Sequence, residues 1–386
     1  MARISAGSEA DVVEAVRAAR EAKRTLEIVG RGTKRGLGRP IECDDVLDLS
    51  GLSGISKYEP DELVITALAG TPVAEIEAAL AEKNQRLGFE PADWGPLFGS
   101  PANSATIGGA LAADTSGSAA IRYGRARDHL LGFRAVNGLG EAYKAGGRVV
   151  KNVTGFDLPK LMCGAMGTLG PLTEVTLRVF PKPAQSIGFV WRNLAPADGL
   201  GVLRRVWSSP LEATGLAYVS NAAASVLPGN PGALIRLEGS ASSLKQMGAM
   251  LRTLLPGHDS EEIGDSDQVL HTLSTGLAFA DSSHVWRIHL PPARAEEFIA
   301  ALDRPLWWAD WAGSLLWLAA ETEADVRGTA HQFEGRAVLM RAPEAERRRT
   351  AVFEPENAAR AQLSRQVKAA FDPLRLFNPG QMWEGV

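Results

Sequence analysis

At 386 residues, 45% hydrophobic and 22% charged, the chain has the make-up of a globular protein long enough for two domains or one elaborated one. Its net charge of -4, from 41 basic and 45 acidic side chains, lacks the basic surplus that nucleic-acid binding draws on. Cys43 and Cys163 are too few for a disulfide framework or a four-thiolate iron–sulfur cluster, and no window approaches the roughly 20 apolar residues of a membrane span.

Ser8 and Asp11 ahead of Val12, Val13, Val16 and Ala19 predict a capped amphipathic helix. A strand over 26–29 runs into the glycine-rich stretch GRGTKRGLG (30–38), which Pro40 keeps from continuing as a helix. Strands over 46–49 and 63–67 follow, then a helix over 73–83 with Val73, Ile76 and Leu80 on one face. Residues 84–117 are rich in Gly, Pro, Ser and Asn and end in SATIGGALAADTSG (104–117). They read as a long binding loop whose small residues admit a ligand close to the backbone. The alternating strand 172–179 is punctuated by Pro181 and Pro183, which places a domain boundary near Lys182. Beyond it, strand-like 187–191, 216–219, 234–238, 285–290, 315–319 and 337–341 alternate with helix-like 243–255 and 293–302, as in an antiparallel sheet backed by helices. A last helix over 355–371 carries Pro355 in its first turn, and Asp372-Pro373 and Asn378-Pro379-Gly380 then turn the chain.

Two phosphate motifs fail on the first glycine run. A dinucleotide G-x-G-x-x-G from Gly30 needs glycine where Arg35 stands, and no Gly-Lys-Ser/Thr of a Walker loop occurs. What remains is a run of amides beside Arg31, Lys34 and Arg35, which can wrap a pyrophosphate as an anion nest or form a turn with solvated cations.

The run does not stand alone. Together with SATIGGALAADTSG, KNVTGFDLPKLMCGAMGTLGPLTEVTLRVFPKP (151–183) and FDPLRLFNPGQMW (371–383), it resembles the FAD-binding domain of the vanillyl-alcohol oxidase type. More narrowly, the set resembles the E subunits of bacterial glycolate oxidases. The resemblance implies an α+β protein with a two-part FAD domain, 1–182 and 346–386, around a cap of 183–345. It places Gly30, Arg31, Gly32, Thr33 and Lys34 on the FAD diphosphate. Thr106, Ile107, Gly108, Gly109, Ser116 and Gly117 would follow the cofactor, and Gly164, Gly167, Thr168 and Gly170 would close its other side.

Some members of that family attach FAD through a histidine in the first loop. Residues 30–40 contain none, so noncovalent FAD is expected. Related catalytic 2-hydroxy-acid dehydrogenases carry an arginine, able to clamp a carboxylate, where Val150 stands here, and no histidine–glutamate metal motif is found. The expectation is therefore an auxiliary or electron-relay subunit. Its expected partners are a second, catalytic FAD-binding subunit that oxidises glycolate to glyoxylate and an iron–sulfur subunit. The alternatives are a self-sufficient dehydrogenase using Lys151, Thr154 and Asn378 near substrate, and a scaffold without a redox role. The expected compartment is the cytoplasm, with any membrane association through partners.

Three clusters remain. His284 and His289 are five residues apart on a strand pattern and point to opposite faces, and with His129, His258, His271 and His331 they are read as structural, with no metal site. Trp307, Trp308, Trp311 and Trp317 fit either a core or a subunit contact. Arg347, Arg348 and Arg349 fit a solvated loop or a dock for an acidic partner.

Overall fold

The first helix begins where its cap says it should. The Ser8 Oγ accepts the Asp11 amide at 3.2 Å, the Asp11 Oδ2 accepts the Ser8 amide at 2.8 Å, and the helix runs over Glu9–Ala22. The structure is a computed structural model describing residues 1–148, 155–220, 227, 232–256, 260–302, 306–320 and 325–386. Its chain divides into two units. One comprises Met1–Thr115, Gly124–Lys182 and Glu344–Val386, and the other Ser116–Tyr123 and Pro183–Pro343.

In the first unit, β1 (Ala2–Ser5), β2 (Leu26–Val29) and β3 (Asp45–Asp48) form a parallel sheet in the order β1-β3-β2. Val12, Ala15, Val16 and Ala19, one stripe of the first helix, pack over it against Leu26, Leu47, Leu49 and Phe377. A second, antiparallel sheet holds β4 (Ile55–Glu59), β5 (Val64–Leu68), β7 (Leu130–Val136), β8 (Ala142–Gly146) and β9 (Leu172–Arg178), ordered β4-β5-β9-β7-β8. The two-residue strands β6 (Gln85–Arg86) and β10 (Phe180–Pro181) pair beside it. Its core takes Val73, Ile76 and Leu80 from the helix Val73–Ala81, and Ile107, Ala110 and Leu111 from the helix Ile107–Ala112. That short helix lies inside the stretch read as a loop, because Thr106 supplies a side-chain cap.

The final helix is Ala358–Phe371, three residues later than expected. Asn357 rather than a first-turn proline starts it, with its Oδ1 accepting the Arg360 amide at 2.9 Å. Lys368 is the one fully buried residue of that helix. Its ammonium donates to the carbonyls of Thr168 (2.6 Å) and Phe377 (2.8 Å) and to Asp372 (2.8 Å). Asp372 in turn accepts the amides of Leu376 and Phe377 at 3.0 and 2.8 Å. The chain then pairs with the outer side of β2: the Leu26 amide donates to Leu376 O at 2.7 Å and the Asn378 amide to Leu26 O at 3.0 Å.

The second unit is one antiparallel sheet of β11 (Gln185–Arg192), β12 (Gly215–Val219), β13 (Gly232–Gly239), β14 (Glu261–Ile263), β15 (Val285–His289), β16 (Leu306–Asp310), β17 (Leu315–Ala319) and β18 (Arg336–Arg341). Its order is β14-β11-β13-β12-β16-β17-β15-β18. Helices Pro196–Trp207, Ala241–Leu254 and Ser266–Thr275 turn apolar faces toward it. The tryptophans are core: Trp308 stacks on Phe279 at 4.0 Å and on Trp317 at 6.2 Å, and all four are buried. The first unit is not an unbroken run to Lys182. Ser116–Tyr123 groups with the second unit, where Ser118 donates to Asp310 at 2.5 Å and the Trp311 indole to Gly117 O at 3.1 Å. Among the described residues no helix is long and apolar enough to cross a membrane.

Candidate functional site: a cleft beside the glycine loop

The loop leaving β2 takes its course from its glycines. Gly32 (φ +70°) and Gly38 (φ +89°) take the left-handed backbone that side chains resist, and a Cβ on Gly30 would collide with the Thr106 hydroxyl. Among the described residues the amides of Arg31, Gly32, Thr33 and Lys34 donate no hydrogen bond within the protein. Arg35 is spent on Glu27, gripping both carboxylate oxygens at 2.7 and 2.5 Å. Lys34 is partly buried, its ammonium 3.4 Å from the Thr33 hydroxyl, and burial pulls its pKa down to about 8 against the opposing pull of Asp93.

The facing wall is made by two backbone exchanges. The Gly164 amide donates to Leu111 O at 2.9 Å and the Met166 amide to Ala112 O at 2.8 Å, seating the turn 164–170 against the helix Ile107–Ala112. Met166 and Gly167 both have positive φ, 52° and 74°. Asn378 holds that turn to β2: its Oδ1 accepts the Ile28 amide and its Nδ2 donates to Met166 O, both at 2.7 Å.

Gly30, Arg31, Gly32, Thr33, Lys34, Thr106, Gly108, Gly109, Gly167, Gly170 and Asn378 line one cleft in this unit. Other expected residues are elsewhere. Ile107 is wholly within the core, Ser116 and Gly117 lie in the second unit, and Gly164 is occupied with Leu111. Thr168 turns its hydroxyl to Ala165 O and gives its carbonyl to Lys368. Asn378 reaches the cleft, with its carboxamide Oδ1 and Nδ2 both bonded to backbone. Lys151, Thr154, Val150 and His258 fall outside the described residues. Sequence reasoning missed Met166, Arg39, Glu344, Arg347 and Gln381 on the lining. Only the arginine run signalled any of them, and it divides: Arg347 enters the cleft while Arg348 pairs with Glu42 and Glu344.

Undonated amides, glycines on both walls and a surplus of cations suit a diphosphate with its attached rings. The comparisons agree. Residues 2–146 match the model of the FAD binding domain family. The chain is 34% identical over 379 residues to the glycolate oxidase subunit GlcE of Escherichia coli (strain K12), covering 96% of each. The chain belongs to the GlcE family of FAD-linked oxidoreductases. Its cofactor is FAD, and its fold is that of the vanillyl-alcohol oxidase type. A solved p-cresol methylhydroxylase matches it with a TM-score of 0.76 at 14% identity, covering 98% of this chain and 88% of that one. The glycolate oxidase subunit GlcD of Bacillus subtilis (strain 168) is 30% identical over 161 residues, 41% of this chain and 33% of that one.

With Lys34 placed against an FAD phosphate, the cofactor affinity of this GlcE-family chain is expected to depend on pH. A neighbouring phosphate favours the charged ammonium and raises its pKa above 8 on binding, so binding takes up a proton. Affinity is therefore full below pH 8 and falls as pH rises toward the bound-state pKa. Titrating FAD into apoprotein by flavin fluorescence at pH 7 to 9.5 should show this loss, and Lys34→Met should flatten it. A wild-type Kd constant across that range would refute it.

Proposed function

We propose that this chain is the FAD-holding E-type subunit of a glycolate-oxidising complex, serving electron relay or assembly beside a second FAD-binding subunit that oxidises glycolate to glyoxylate. The carrying observation is similarity to GlcE along nearly the whole of both chains. Gly30–Lys34 hold the diphosphate through amides and cations, Thr106, Gly108 and Gly109 form one wall, and Gly167 and Gly170 the other. FAD supplies the electron-accepting ring; the chain orients it and excludes water from one side. An iron–sulfur subunit completes the proposed assembly, and its four-thiolate cluster lies in that partner, since this chain has two cysteines. Any membrane association runs through those partners.

The auxiliary role is supported by Val150, an apolar residue where related 2-hydroxy-acid dehydrogenases place a carboxylate-clamping arginine. The FAD is noncovalent, since residues 30–40 offer no histidine. Acid precipitation should release the yellow chromophore into the supernatant. In anaerobic stopped-flow, glycolate should leave the flavin of the separated chain oxidised, while the assembled complex turns over. Rapid bleaching of the chain alone would make it a dehydrogenase in its own right, and a protein that cannot be reconstituted with flavin would leave a scaffold.

A further inference from the structure

The side chain of Arg35 runs back along the glycine loop to the strand that the loop leaves. A Cβ at Gly32 would meet the Arg35 Cδ at 3.6 Å and its Nε at 3.9 Å, so the aliphatic stem lies against the turn that carries the undonated amides. The guanidinium then grips Glu27, Nε to Oε1 at 2.7 Å and Nη2 to Oε2 at 2.5 Å. The Arg35 amide donates to Gly32 O at 3.3 Å, so backbone and side chain close the same turn. Glu27 is a firm anchor. It stands on β2 opposite Val46 of β3, and the residues on either side of it, Leu26 and Ile28, are bonded to Leu376 and Asn378.

Both partners line the cleft, yet their side chains are 47% and 16% exposed, a setting in which an ion pair adds little to folding stability. What the pair fixes is geometry. A stretch with glycine at 30, 32, 36 and 38 has many backbone conformations open to it, and ordering them on binding would cost affinity. We infer that Arg35 and Glu27 form a strut that presets the amides of residues 31–34 for the FAD diphosphate, a positioning pair rather than ligands of the cofactor. The inference rests on reading this cleft as the FAD site. The strut is neutral, since each charge balances the other, so its contribution comes from holding the loop and not from attracting phosphate.

Two roles for Arg35 predict opposite signs at Glu27. A guanidinium that bound phosphate directly would be freed by Glu27→Gln, which also removes a repelling carboxylate, and binding would tighten. A strut weakens when either end is cut. Calorimetry on apoprotein should show Arg35→Met and Glu27→Gln each weakening FAD and ADP about 10-fold, with unfolding midpoints close to wild type. Exchanging the charges, Glu27→Arg with Arg35→Glu, should recover part of the loss. Glu27→Gln at or above wild-type affinity while Arg35→Met binds more weakly would make Arg35 a ligand and overturn the inference. Wild-type affinity in both variants, with FAD lost in Gly32→Val, would overturn it too and leave the cleft as the FAD site. Wild-type affinity in all three would overturn the inference and the placement of the diphosphate together.

Discussion

Replacing Lys368 with Met should lower the unfolding free energy by about 3–5 kcal/mol, the range for removing one partner of a buried ion pair. Met matches the length of the aliphatic stem, so the loss comes from polar groups rather than from a cavity. Without the ammonium, the Asp372 carboxylate keeps only the amides of Leu376 and Phe377, and the carbonyls of Thr168 and Phe377 lose a donor in a site closed to water. The pair also joins the helix Ala358–Phe371 to the segment pairing with β2, so FAD affinity should fall with stability. Denaturant titration followed by tryptophan fluorescence measures the first effect. Lys368→Met with Asp372→Leu should recover part of it, since two apolar groups leave no orphaned charge. A single variant within 1 kcal/mol of wild type would mean that the pair is not desolvated in solution.

Gly32→Val should remove FAD affinity by more than about 100-fold, roughly 2.7 kcal/mol, and leave the fold standing. Space is not the obstacle, because a Cβ at Gly32 would meet only the Arg35 side chain at an ordinary 3.6 Å. The obstacle is φ +70°, which a β-branched residue occupies only as a strained outlier. The valine chain would relieve that strain by rotating the loop, and the amides of residues 31–34 would turn away with it. Equilibrium dialysis against FAD reads the loss, and an unchanged unfolding midpoint separates it from misfolding. A folded Gly32→Val protein with wild-type flavin content would show that this loop does not hold the cofactor.

Local signals in the sequence were strong wherever the structure depends on neighbours along the chain. The Ser8–Asp11 cap, the face Val73, Ile76 and Leu80, and most strands of the second unit could be read from capping and periodicity. Asn357 was overlooked because Pro355 offered a competing start two residues earlier. The strand β7, LLGFRAV, is nearly continuous in apolar residues and lacks alternation, so nothing distinguished it from a core helix. The cleft was legible in its glycines and not in its supports. Asn378 acts on Ile28 and Met166, 350 and 212 residues away, and no local pattern encodes such a pairing. Arg347 has the same neighbours in sequence as a solvated arginine, and its contact with Gly38 lies 309 residues away.

The division of the first unit into three stretches has a consequence for biosynthesis. In the spatial order β1-β3-β2, strand β2 has one open side until Leu376 and Asn378 arrive to pair with Leu26. At about 5–20 residues per second, a ribosome takes roughly 10–40 s to go from the end of the second stretch to that segment. Throughout that interval the nascent chain carries an unpaired strand edge and a glycine loop with one wall unsecured, the kind of surface on which chains associate wrongly. Flavin capture is therefore expected to wait for the segment 376–378, and overproduction that outpaces flavin supply should yield aggregated apoprotein rather than a soluble half-built domain.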